Sequence, residues 1–154
     1  MTFMTPIHTT VSTILAEKGS IIHSISHDAS VHDAVVEMNQ KRIGSILVMR
    51  GDQVVGIFTE RDVLTRVVES GREAANTMVS EVMTSEIQKL SPDTLIEDAM
   101  EIITEKRARH LPVFDESGTL LGLISIGDIL RWLIKVNQME SDHLRQYIFG
   151  EHSQ

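Results

Sequence analysis

Asp62 and Asp128 are the residues whose spacing first suggests chemistry, because each follows a hydroxyl by three positions, Thr59 in one case and Ser125 in the other. A hydroxyl and a carboxylate so spaced form a helix N-cap box. The hydroxyl accepts from one backbone N–H and the carboxylate reaches back to another. The same turn has a second use. Free N–H groups where a strand enters a helix attract anions, and a carboxylate beside them can accept two hydrogen bonds from the 2′,3′-diol of a ribose. A hydroxyl one turn away would then face a phosphate oxygen. Cap and ligand site are compatible, and the spacing alone leaves both open.

The seven histidines raise the question of a metal, since His23, His27 and His32 are close in sequence. They fall on a strand, a turn and a helix start and so share no face. Neither a cysteine nor a His-Glu-x-x-His pattern accompanies them. Solvated or capping roles fit them better, and no metal site is expected. His110 differs in abutting the segment around Arg109 and Pro112, although packing explains it equally well. Lys41-Arg42 and Lys106-Arg107 recur near the ends of equivalent helices. Positive charge there complements a helix C-terminus, with a phosphate or partner contact as the alternative. Trp132 stands where the duplicated helix has Arg66, and reads as an interface residue rather than a platform for a base. No nucleophile–base pair, Walker-type loop or carboxylate pair placed for acid–base work is visible, so no catalytic residue is assigned.

The elements that position these residues occur twice. Ile25-Ser26-His27-Asp28 through Arg50 aligns without a gap on Leu90-Ser91-Pro92-Asp93 through Asp115. One inserted residue in the following turn brings Gly56-Ile57-Phe58-Thr59-Glu60-Arg61-Asp62 onto Gly122-Leu123-Ile124-Ser125-Ile126-Gly127-Asp128. Each copy reads as strand, helix, strand, strand, helix. In the first, Ile21-Ile22 opens a strand. A helix carrying Val31, Ala34, Val35 and Met38 follows the Ser30/Asp33 box. Ser45–Met49 and Val54–Phe58 then form a hairpin around Gly51-Asp52. In the second, Ile96, Ala99, Met100 and Ile103 follow a Thr94/Glu97 box, and Leu111–Phe114 pairs with Leu120–Ile124. The closing helices carry Val63, Leu64, Val67 and Val68 against Ile129, Leu130, Leu133 and Ile134. Val11–Leu15 and Val79–Met83 match as short lead-in helices. The repeats with their lead-ins span 7–72 and 77–136, joined by a linker over Ser70–Asn76 in which Gly71 stops a helix. An amphipathic tail over 137–154, with Met139, Leu144, Tyr147 and Ile148, is expected to dock rather than float.

A chain of 154 residues can hold one real core, whereas repeats of about 60 residues are marginal alone, so a fused module is expected. No apolar run approaches the ~18 residues that cross a bilayer. The first residues have neither a basic nor an apolar leader region. With no cysteines, disulfides and thiolate chemistry are excluded and a cytoplasmic setting is expected. A net charge of −8 argues against nucleic acid as a partner. It leaves room for a small anion in a locally basic cleft.

The duplicated Gly-φ-φ-Thr/Ser-x-x-Asp (φ apolar), together with Arg109-His110-Leu111-Pro112-Val113 on the middle strand of the second copy, resembles a tandem pair of cystathionine-β-synthase (CBS) domains, the freestanding Bateman module. The resemblance covers roughly residues 10 to 135. It implies an α+β fold of α/β-type sandwich character, in which two β-α-β-β-α repeats pack sheet to sheet with pseudo-twofold symmetry. It implies a regulatory, energy-sensing module of signal transduction that binds AMP, ADP, ATP, NAD or S-adenosylmethionine in clefts between the repeats. It also implies a homodimer formed through the closing helices and an effector protein as partner. Matched residue by residue, Asp62 and Asp128 correspond to the ribose-binding aspartates, and Thr59 and Ser125 to the hydroxyls near ribose and phosphate. Ile25 and Leu90, with the backbone at Gly44-Ser45-Ile46 and His110-Leu111-Pro112, correspond to the adenine-holding segments. Arg61 and Arg109 are assigned to phosphate. The first copy departs from the pattern with Ile46-Leu47-Val48 against Leu111-Pro112-Val113, and Arg61 faces Gly127 in the alignment, so the two sites are expected to differ in charge. The competing readings are a ligand-free dimerisation scaffold and a small nucleotide hydrolase using Asp62 or Asp128.

Overall fold

The computed structural model describes residues 9–19 and 21–152, with side chains through Met139. The chain divides into two compact units. One takes Ile21–Ile87; the other takes the N-terminal segment through Ser20 together with everything from Gln88 onward.

In the Ile21–Ile87 unit, an alternating Ser-Ile-Ser and two continuous apolar runs give three strands: Ser24–Ser26 (β1), Ser45–Arg50 (β2) and Gln53–Thr59 (β3). β1 runs parallel to β2, and β2 and β3 form an antiparallel hairpin with a bulge at Val48/Met49. The first strand begins later than the sequence suggests. Ile21 is 77% exposed, and the backbone bond that starts the parallel pairing runs from the Leu47 N–H to the His23 carbonyl. The helix between these strands, Val31–Lys41, starts where the Ser30 hydroxyl accepts from the Asp33 N–H at 3.0 Å. Its inward stripe of Val31, Ala34 and Met38 packs with Ile46, Val48 and Phe58 of the sheet, each fully buried apolar side chain contributing about 1.5–3 kcal/mol. After β3 a single turn, Glu60–Asp62, widens into a π-helical stretch over Val63–Val68. There the Glu69 N–H reaches back five residues to the Leu64 carbonyl. Gly71, at φ +70°, ends it as expected.

The other unit repeats the plan with a shorter sheet. His110–Phe114 (β4) and Leu120–Ser125 (β5) form the hairpin, bulged at the equivalent place. The expected first strand is reduced to one parallel bridge, Leu90 to Val113. Helix Ile96–Lys106 buries Ile96, Ala99 and Ile103, while Met100 of the expected stripe is exposed. Its expected Thr94/Glu97 box does not form. Leu95 occupies the cap position, and the Thr94 hydroxyl instead accepts from the Ser91 N–H at 3.1 Å, closing the preceding turn. The closing helix, Ile126–His152, is continuous and carries the tail as helix through His152. The side chains of Leu144, Tyr147 and Ile148 lie outside the described residues.

Both lead-in helices form, Val11–Lys18 and Val79–Val82, but each packs on the repeat it does not precede. Val11 and Ile14 belong to the core built by Leu111, Val113, Ile124 and Ile129, and Val79 and Val82 to that of Ile46, Val48 and Phe58. The division by packing therefore differs from the sequence boundaries 7–72 and 77–136: the lead-ins are exchanged. No helix among the described residues is long and apolar enough to cross a membrane.

Candidate functional site

The hydroxyl–carboxylate spacing gives the same local geometry twice. At the end of β3, the Asp62 N–H donates to the Thr59 hydroxyl at 3.2 Å, and the Thr59 N–H donates to Asp62 Oδ2 at 3.1 Å. At the end of β5, the corresponding bonds are 3.1 Å from Asp128 N–H to Ser125 Oγ and 2.8 Å from Ser125 N–H to Asp128 Oδ2. Both capping boxes are reciprocal and both aspartates are buried, at 5% and 7% relative exposure. A backbone bond ties each box to the start of the middle strand: the Glu60 N–H donates to the Gly44 carbonyl at 3.0 Å, and the Ile126 N–H to the Arg109 carbonyl at 2.9 Å.

This arrangement brings most of the sequence-derived candidates together within each unit. Ser45 pairs across the hairpin with Thr59, and His110 with Ser125. Thus Gly44, Ser45, Thr59 and Asp62 cluster at one hairpin end, as do Arg109, His110, Ser125 and Asp128 at the other. Ile25 and Leu90 sit opposite Val48 and Val113, three residues along the strand and so about 10 Å from Ser45 and His110. Ile46, Leu90, Leu111 and Pro112 have buried side chains, which leaves their backbone as the part able to meet a ligand. Arg61 and Arg109 are exposed, and neither side chain makes a hydrogen bond or ion pair among the described residues.

Four partners of the aspartates escaped sequence reasoning. Lys18, the last residue of the first lead-in helix, donates from Nζ to Asp128 Oδ2 and to the Leu123 carbonyl, both at 2.7 Å. Arg131 meets the other oxygen, Oδ1, at 2.5 Å. In the other unit, the Thr84 hydroxyl lies 3.2 Å from Asp62 Oδ1 and 3.3 Å from Oδ2. Arg66 stands 3.7 Å from Oδ1 while donating to the Met83 carbonyl at 2.7 Å. Only Arg66 and Arg131 carried a sequence signal, their i+4 and i+3 spacing from the aspartates. Burial alone would raise the Asp128 carboxyl. The hydrogen bond from Lys18, that from the Ser125 N–H and the Lys18 charge outweigh it and hold the group below the usual carboxylate range. His110 is also held below its ordinary value, first by burial and then by Lys18 and Arg109, against the pull of Asp128. A cleft of about 260 Å³ opens beside Asp128, with Lys18 on one wall and Arg131, Trp132 and Lys135 on the other. Among the described residues no three His, Cys, Asp or Glu side chains come together as a metal site.

Two repeats of one plan, each with a buried, cation-flanked aspartate at its hairpin end, make a duplicated architecture. The chain belongs to the CBS-domain family, whose model matches residues 19–69 and 79–135; CBS-domain proteins are generally regulatory, ligand-binding modules. It is 34% identical over 151 residues to the CBS domain-containing protein CBSX3, mitochondrial, of Arabidopsis thaliana, covering 92% of this chain and 73% of that protein. The solved structure of a protein with CBS domains from Burkholderia ambifaria MC40-6 shares 41% identity and a TM-score of 0.79 over 82% of this chain and 95% of its own. A hexameric CBS-CP12 protein from bloom-forming cyanobacteria shares 29% identity and a TM-score of 0.71, over 81% and 68%.

Proposed function

We propose that this chain is a non-catalytic regulatory module that binds an adenosine nucleotide (AMP, ADP, ATP or NAD) and passes a conformational signal to a partner protein. The observation that carries the reading is the duplicated box. A buried carboxylate held by the backbone on one side keeps acceptor capacity for a diol on the other, and guanidinium groups within 4 Å of it suit phosphate. Ligand-induced signalling is limited to the difference in affinity between two arrangements of the module. The fold class, with two repeats in one chain, agrees with a binding module.

The test is a thermal-shift screen with AMP, ADP, ATP, NAD, NADH and S-adenosylmethionine on the wild type and on Asp62→Asn/Asp128→Asn. A ligand at a hundred times its Kd adds about 2.7 kcal/mol, a rise of several degrees at this size. The Asn substitutions keep a capping oxygen but remove the charge, and should weaken binding about tenfold to a hundredfold. A flat screen on the wild type would refute nucleotide binding and leave the dimerisation scaffold as the better account. Steady nucleotide turnover by the purified protein, lost in the double variant, would point to a hydrolase instead.

A further inference from the structure

The two aspartates are alike in their boxes and unlike in their second partners. Asp62 receives a rotatable neutral hydroxyl from Thr84 and has its nearest cation at 3.7 Å, an ion-pair distance beyond hydrogen-bond range. Asp128 has both oxygens engaged by cations, Lys18 on Oδ2 at 2.7 Å and Arg131 on Oδ1 at 2.5 Å. Oδ2 also accepts the Ser125 N–H, so its two acceptor positions are filled. A vicinal diol that engages both carboxylate oxygens finds an open acceptor position on each at Asp62 once the Thr84 hydroxyl turns. At Asp128 it has none while Lys18 stays.

Lys18 is also placed to matter mechanically. It is the last residue of its helix, followed by Gly19 at φ +88° with no atom near a built Cβ. The Gly19 N–H closes the helix on the Leu15 carbonyl at 3.0 Å. Two residues later the chain leaves this unit for the other. Val11, Ile14 and Leu15 anchor the helix in the core, so only its C-terminal end is left to pivot. Glu17, one residue earlier, is tied to Lys135 at 3.1 Å, and the ammonium, bound to Asp128 and to the Leu123 carbonyl, clamps the helix at its final residue.

We propose that Lys18 is a gate on the second aspartate: it closes Asp128 to ligand, so that the Asp62 site fills first and occupancy of Asp128 displaces Lys18 and loosens the C-terminal end of the lead-in helix. This rests on the nucleotide reading above for its ligand, not for the clamp itself.

The test uses the full chain with AMP as probe and calorimetric titration as readout. Asp62→Asn silences the first site, so titrations in that background report Asp128 alone. There, Lys18→Met should tighten AMP binding about tenfold, and Lys18→Arg, which restores the cation, should return it to near the parent value. Unchanged or weaker binding in Lys18→Met overturns the gate, the weaker case making Lys18 a phosphate ligand instead. A ligand-free arm separates this from failure of the nucleotide reading. Hydrogen exchange at the Gly19 amide should speed several-fold in Lys18→Met, while β4 and β5 amides hold. Trp132, the only tryptophan and a wall of the same cleft, should change its emission. If AMP binds nowhere but these two signals move, the clamp stands and its ligand is another. If neither moves, there is no clamp and the proposal falls.

Discussion

Burial holds the His110 imidazole below its ordinary pKa, and the ammonium of Lys18 pushes the same way, with Asp128 opposing and Arg109 assisting. The sign of the consequence follows from linkage. As pH falls through about 6.5 the unfolded chain takes up a proton at this residue before the folded one does, so the folded state loses stability. Urea midpoints should therefore decline between pH 7 and 5, and His110→Asn should flatten that decline. An equal slope in the variant would mean that the imidazole is not held neutral by the fold. Asp128 adds a second loss at lower pH. Its folded pKa is depressed, so the stability it contributes is present above the ordinary carboxylate value near 3.8 and disappears as the pH drops through the folded one. Because Lys18 acts on His110 directly, Lys18→Met should raise the imidazole's pKa, which an NMR titration of the ring protons reads. No upward movement would place the ammonium away from His110 in solution.

At the scale of elements, the glycine opening each Gly-φ-φ-Thr/Ser-x-x-Asp motif gains a reason that no spacing supplied. A Cβ on Gly122 would come within 2.5 Å of Leu15 Cδ2, and one on Gly56 would strike Met83 Sδ and, at 2.9 Å, the Thr84 carbonyl oxygen. Leu15 lies in the first lead-in helix and the aligned Met83 caps the second, so each lead-in packs on the repeat it does not precede and rests on its glycine. A flexible Leu tip can move and a backbone carbonyl cannot. Gly56→Ala should thus cost about 2–3 kcal/mol by overpacking, and Gly122→Ala about 1. Chemical denaturation of both variants checks the order, and equal losses would mean that the Met83 side chain alone sets the first cost. Local sequence pattern was enough to find the hairpins, the helices Val31–Lys41 and Ile96–Lys106 and the two hydroxyl–aspartate boxes, because those depend on neighbours in sequence. It also expected a Thr94/Glu97 box that does not form. It misplaced the first strand at Ile21-Ile22, since β1 is fixed by parallel pairing to Leu47, Val48 and Met49. It missed Lys18 on Asp128 for the same reason: the partners are 110 residues apart. Arg42 and Arg107 read as charges complementing helix ends; the structure adds that both adopt the left-handed conformation there, at φ 55° and 53°. That backbone costs a non-glycine residue about 1–2 kcal/mol.

At the scale of the whole molecule, duplication has copied an exposed feature as well as buried ones. Leu64 and Val68 on the first closing helix align with Leu130 and Ile134 on the second, and all four are exposed. Single exposed apolar residues are ordinary, but an i, i+4 pair recurring at the same place in both copies is a surface that each unit leaves uncovered. The proposed occupant is a second copy of this chain, the homodimer expected from the closing helices. Burying such a side chain contributes about 1.5–3 kcal/mol, and a symmetric interface counts each one twice. Leu64→Glu/Leu130→Glu would place charges where that gain arises, at positions whose exposure spares the monomer core. Sedimentation velocity should show a wild-type dimer or a larger closed assembly, and a folded monomer for the variant. A wild type that stays monomeric at tens of micromolar would rule this interface out, and a variant that still assembles would locate the contact elsewhere.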